Sequence, residues 1–171
     1  SIPADVYHIR DRVQSKLLAE TDGEVSTAHV PQMRQMIGTF FNQVLAEENL
    51  LYTRAVRSKL LEWVLADILG YGPIDPLLKD GSITEIMVNG PYEIFVERAG
   101  LIEKTDVAFE NDTHLMRIID RIVSPIGRRV DESSPMVDAR LPSGFRVNAT
   151  IPPLSLDGPL LTIRKFSQTP Y

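Results

Sequence analysis

The change of hydrophobic period across seven residues, GYGPIDP from Gly70 to Pro76, constrains this chain more than any other feature. Two glycines and two prolines in that space stop a helical pattern, and the segment is the best candidate boundary in the sequence. Before it, apolar residues recur at three- and four-residue steps in three stripes. Val6, Ile9, Val13 and Leu17 form the first, and Val30, Met33, Ile37, Phe40, Phe41 and Val44 the second. Val56, Leu60, Trp63, Val64 and Ile68 form the third, with Thr53 placed to cap its start and Gly70 to end it. Asp22-Gly23 punctuates the first connection, and Pro31 suits the opening turn of the second helix.

After the break the period shortens. Thr84–Val88 and Glu93–Glu97 read as strands joined by the turn Asn89-Gly90-Pro91, with a third strand near Leu101–Val107. Asp112 is placed to cap a helix carrying Leu115, Ile118, Ile119, Ile122 and Val123, which Pro125 and Gly127 end. Met136–Leu141 and Phe145–Ile151 predict a second hairpin across Pro142-Ser143-Gly144, and Leu160–Lys165 a last strand. The expected class is α+β: a three-helix bundle over residues 1–69, a hinge or linker at 70–76, and over 77–171 a mixed domain with a mainly antiparallel sheet and at least one packed helix.

Composition narrows the function. A net charge of -5 argues against broad attraction to nucleic acid or anionic lipid, so no nucleic-acid partner is expected. Zero cysteines exclude disulfides and thiolate metal sites, and His8, His29 and His114 are too scattered for a metal cluster. No stretch resembles a signal peptide or a membrane span, and a cytoplasmic setting is expected.

Against that acidic background, Arg128, Arg129, Arg140, Arg146, Arg164 and Lys165 fall along predicted strands and tight turns between Gly127 and Lys165. Guanidinium groups gathered on neighbouring strand ends match phosphate geometry and form a plausible anion clamp. Arg140 and Arg146 flank one hairpin turn and adjoin each other. Asp138 is a rival partner for Arg140, and Asp131 and Glu132 for Arg128 and Arg129; Arg146 and Arg164 have no nearby acid in sequence. None of the ten glycines precedes lysine, so the phosphate-cradling G-x-x-x-x-G-K-S/T loop is absent. The acid pairs Asp131 with Glu132, Glu47 with Glu48 and Glu20 with Asp22 lack a nucleophile or metal beside them, so no catalytic residue is assigned within this chain.

Four blocks carry a family resemblance: GYGPIDPLL from Gly70, TEIMVNGP from Thr84, the run GRRVDESSPMVDARLPSGFRVNATIPP from Gly127 to Pro153, and LTIRKF from Leu161 to Phe166. Together they resemble the CpaF/TadA branch of the type II and type IV secretion and pilus-assembly ATPases, which includes tight-adherence (Flp) pilus motors. The match runs from about Leu60 to Phe166, with the leading helices only loosely similar. The resemblance implies a motor subunit in which an α+β N-terminal domain precedes a RecA-like domain bearing the Walker motifs. That second domain is not in this sequence, so Tyr171 is expected to be an engineered end, and the chain by itself is expected to be inactive with no cofactor tightly bound.

The resemblance further implies a homo-hexameric ring using ATP with Mg2+, held at the cytoplasmic side of the inner membrane by platform proteins of the secretion or pilus machinery. It implies that Arg146 and Arg164, and Arg140 less securely, reach the nucleotide phosphates, with Arg128, Arg129 and Lys165 as additional cationic contacts. The alternative from a different class is a free-standing adaptor that binds a phosphorylated ligand or partner protein.

Overall fold

A computed structural model describes residues 3–21 and 30–165. The Asp22-Gly23 turn, His29 and Phe166 lie outside the described residues. The chain divides into two compact units, Ser1–Gly72 and Pro73–Tyr171.

Among the described residues the first unit has three helices, α1 (Val6–Glu20), α2 (Val30–Glu47) and α3 (Arg54–Leu69). Their apolar stripes meet: Ile9, Val13, Leu17, Ile37, Phe41, Val44, Leu60 and Val64 have no accessible surface. Burying a Leu-, Ile- or Phe-sized side chain contributes about 1.5–3 kcal/mol each, and most of each helix's stability comes from this packing rather than from propensity. The ends are chemically marked. Thr53 accepts a hydrogen bond from the Val56 N–H at 3.3 Å, capping α3 as the sequence predicts. Past the end of α2, Asn49 adopts a left-handed φ of 54°, and the Leu50 N–H reaches back to the Leu45 carbonyl at 2.9 Å, satisfying a carbonyl the helix leaves over. Gly70 does end α3, but at φ -116°; the left-handed glycine of that segment is Gly72, at φ 61°.

A 3-10 turn, Gly72–Ile74, begins on the last residue of the first unit, and the short helix α4 (Asp75–Lys79) follows in the second. The segment expected as a linker is therefore mostly helical: Pro76 sits in the first turn of α4, where its missing N–H goes unmissed. Six strands follow: β1 (Ile83–Asn89), β2 (Ile94–Arg98), β3 (Leu101–Lys104), β4 (Met136–Arg140), β5 (Arg146–Thr150) and β6 (Leu160–Arg164). They form one antiparallel sheet in the order β3-β2-β1-β6-β5-β4. Both predicted hairpins form, with Gly90 and Gly144 at φ 74° and 94° in their turns, a conformation open to glycine at little cost. Strand β3 is shorter than expected. Both the N–H and the hydroxyl of Thr105 bond the Ile94 carbonyl, after which the chain leaves the ladder and the Phe109 N–H bonds the Pro91 carbonyl.

Alternation decides the two faces of the sheet. Ile86, Val88, Ile94, Val96, Val137, Ala139, Val147, Ala149, Leu161 and Ile163 are buried on one side; between them on the other stand the polar Asp138, Asn148 and Thr162 in β4, β5 and β6, and Met87 and Phe95 in β1 and β2. Helix α5 (Asp112–Val123) adds a buried stripe of Leu115, Ile118, Ile119, Ile122 and Val123 to this core. Its cap is Asn111, not Asp112. Asn111 is extended and its side chain accepts the His114 N–H at 2.9 Å, leaving Asp112 in the first turn, where a negative charge complements the helix dipole. Gly127, at φ 74°, closes the 3-10 turn Ser124–Ile126 that follows.

Candidate functional site

Strand β6 pairs with β1 on one side and β5 on the other, joining the two hairpins into one sheet. That insertion builds the site. Across β4 and β5, Arg140 is opposite Arg146; across β5 and β6, Arg146 is opposite Arg164; across β6 and β1, Arg164 is opposite Glu85. Residues directly opposite one another in an antiparallel pair share a face, so three arginines stand in one row on the polar side of the sheet.

The row is lopsided in charge. Arg164 Nη2 lies 3.4 Å from Glu85 Oε1, a long contact for an ion pair, and the arginine side chain remains 71% exposed. Sequence neighbours had left Arg164 without an acid; the partner comes from a strand 79 residues away. Arg140 and Arg146 are exposed, and among the described residues no ion pair or side-chain hydrogen bond engages either. Asp138, the rival partner for Arg140, instead faces Asn148 across the hairpin. Like charges set directly opposite each other on a sheet repel. Beyond Glu85 the row continues to Glu97, opposite it across β1 and β2, and Asp138 stands two residues from Arg140 on the same face; the three exposed guanidiniums can offer an anion bidentate, charge-assisted hydrogen bonds. Asn148 and Thr162, opposite each other two residues further along the same face, add polar groups beside the row.

The other predicted cations go elsewhere. Arg129 Nε donates to Asp131 Oδ2 at 2.7 Å in a loop where Asp131 also accepts the Ser133 hydroxyl and the Ser133 and Ser134 amides; these bonds hold its carboxyl below the usual range, the Ser133 hydroxyl contributing most. Arg128 follows Gly127, its N–H bonded to the Val123 carbonyl, and has no register position in the sheet. Lys165 turns its ammonium onto the Leu77 and Asp80 carbonyls, each at 2.7 Å. Beside it, Asp80 accepts the Ser82 hydroxyl at 2.6 Å and the Ser82 amide at 2.9 Å, and pairs with Arg98 at 2.8 Å, which together hold its carboxyl far below its ordinary value.

The sequence reading passed over Glu85 and, in the helical unit, the pair Arg10 and Asp67. Arg10 sits in the α1 stripe and Asp67 in the α3 stripe, side chains 4% and 1% exposed, with Nη1 to Oδ2 at 3.5 Å. The Arg10 guanidinium also lies 5.5 Å from the Tyr7 ring centre and 5.9 Å from that of Trp63. The signal was present as two charged residues at positions the helical period assigns to the core. Among the described residues no group of three His, Asp or Glu could hold a metal ion, and no helix is long and apolar enough to cross a membrane.

Comparison with known proteins agrees with this architecture. Residues 6–69 match the family described as Type II secretion system protein E, N-terminal domain, and residues 67–170 match that described as Type II/IV secretion system protein. An uncharacterized protein of Methanocaldococcus jannaschii is 39% identical over 102 residues, covering 58% of this chain and 14% of the relative. The Type IV secretion system protein VirB11 of Brucella suis is 36% identical over 98 residues, covering 57% of this chain and 27% of the relative. The crystal structure of the VirB11 ATPase from the Brucella suis type IV secretion system, in complex with sulphate, superposes with a TM-score of 0.53 at 34% identity, over 58% of this chain and 31% of that one. The chain thus spans about a third or less of the length of these relatives.

Proposed function

The chain belongs to the Type II/IV secretion system protein family, and from that premise we propose that it is the nucleotide-clamping, subunit-contacting N-terminal part of an ATP-hydrolysing motor for pilus assembly or protein secretion. The row Arg140, Arg146 and Arg164 carries this reading. The sequence contains no phosphate-cradling loop, so its arginines serve a nucleotide whose primary site is built by another domain of the whole protein. The sulphate named for the VirB11 structure supports anion affinity in this family.

In this reading the exposed guanidiniums fit a phosphate chain, which would replace their mutual repulsion with charge-assisted bonds. Bound ATP would supply the phosphoanhydride; this chain's arginines would neutralise and orient its phosphates. Magnesium belongs with the RecA-like domain, whose acids would hold it. Drawn against that domain while triphosphate is present and released after hydrolysis, the sheet would act as a lever within a cytoplasmic homo-hexamer docked on inner-membrane platform proteins.

The test is ATP turnover by the longer parent carrying Arg146→Ala or Arg164→Ala. Each should lower activity about tenfold or more while leaving the fold intact, since a charge-assisted hydrogen bond is worth about 1.5–3 kcal/mol. Unchanged turnover in both variants would remove the clamp from the reading. Tight binding of a nucleotide by this chain alone would favour a free-standing adaptor.

A further inference from the structure

We propose that Lys165 is a positioning residue for the arginine row, and not a ligand of the anion itself; the role of the row rests on the reading above. Three contacts meet at this residue. Its Nζ donates to the Leu77 and Asp80 carbonyls, both at 2.7 Å, at the end of α4, where the first also accepts the Asp80 N–H at 3.4 Å and the second the Ile83 N–H at 3.2 Å. Its backbone N–H donates to the Thr84 carbonyl at 2.9 Å, carrying the β1–β6 ladder one residue beyond Arg164. The ammonium also lies 6.0 Å from the centre of the Phe145 ring.

Those contacts bracket the row. Lys165 directly follows Arg164, and Phe145 directly precedes Arg146. Two of the three cations are therefore one peptide bond from groups that Lys165 makes or touches. An ammonium that swung out to meet a phosphate would give up two charge-assisted bonds, each worth about 1.5–3 kcal/mol. Kept in place, it ties the end of β6 and the mouth of the β4–β5 hairpin to α4, which limits how far Arg146 and Arg164 can separate. A 5-residue helix has little stability of its own, so this tie also holds α4.

The side-chain Nε–Hε signals of Arg146 and Arg164 in the 171-residue chain without ligand give the first test. Lys165→Met should shift and broaden both while leaving those of Arg57 and Arg12 unchanged; undisturbed Arg146 and Arg164 signals overturn the proposal. Should Lys165→Met fail to fold, Lys165→Gln, which keeps a neutral donor, is read the same way. The second test is a double-mutant cycle with inorganic tripolyphosphate. Lys165→Met should weaken binding about fivefold in the native background and less than about twofold once Arg146 and Arg164 are both Ala, since coupled residues are non-additive. An equal loss in both backgrounds identifies a direct ligand and overturns the proposal. If the native chain binds no tripolyphosphate, the anion site of the preceding section fails, while the arginine signals still decide whether Lys165 positions the row.

Discussion

Arg146 stands directly opposite Arg164 across the β5–β6 pair, on the same face of the sheet, with Arg140 next in line beyond it. Cross-strand neighbours of like charge oppose folding, by about 0.2–1 kcal/mol a pair. A row of three is a feature that stability alone does not explain, and the anion binding proposed above would.

Removing one member of the row should therefore separate stability from binding. Arg146→Ala in this chain should leave the midpoint of thermal unfolding unchanged or slightly raised, and should weaken tripolyphosphate binding about tenfold or more. Calorimetry and titration on the same sample check both. A large loss of stability would mean that Arg146 is a structural residue.

Glu85 restrains the end of the row. Its carboxylate is 3.4 Å from the Arg164 guanidinium, so Glu85→Gln should free that cation and tighten tripolyphosphate binding a few-fold. Rim contacts of this kind contribute about 0–1 kcal/mol to stability, and the unfolding midpoint should move little. Weaker binding in the variant would show that Glu85 orients Arg164.

The helical unit offers a stability prediction of the opposite kind. Asp67→Ala would take from the buried Arg10 the carboxylate that α3 supplies, leaving Asp11 at 2.8 Å to pair its charge, at a cost of about 1.5–3 kcal/mol. Replacing both, as Arg10→Met with Asp67→Leu, should recover most of that loss, because an apolar pair of similar volume avoids burying either charge. Urea unfolding of the two variants checks the ordering.

Acid should act through Asp80. Hydrogen bonds from Ser82 first, and then Arg98, hold its folded-state carboxyl far below the usual value. A folded pKa below the unfolded one contributes stability in full above the unfolded value, near pH 4, and loses it as the pH falls from there toward the folded value. Asp80→Asn should accordingly flatten the fall in stability below about pH 4 and be less stable than the native chain at neutral pH. Urea midpoints measured from pH 6 downward test the sign.

Much of this was legible in residues close together in sequence. The three helical stripes, the Thr53 cap and both hairpins follow from local periodicity and turn chemistry, and the structure contains them all. Small displacements had local causes: Asn111 took the cap from Asp112 because its side chain reaches the His114 N–H, and β3 ended early because the chain leaves the ladder after Thr105 and the Phe109 N–H turns to the Pro91 carbonyl. Arg140 beside Arg146 was also readable, since one short hairpin joins them.

The sequence by itself determined the α+β class, the alternation that puts Arg140, Arg146 and Arg164 opposite the buried residues of their strands, and the pairing within each of the two predicted hairpins. Only the tertiary structure decided that β6 enters between β1 and β5. That single placement set Arg164 beside Arg146, supplied Glu85 as its acid, and turned Lys165 onto the Leu77 and Asp80 carbonyls. Periodicity records which face a strand buries, and it is silent on which neighbour a strand chooses. That choice rests on hydrogen bonds and packing between segments some eighty residues apart, where no local pattern reaches.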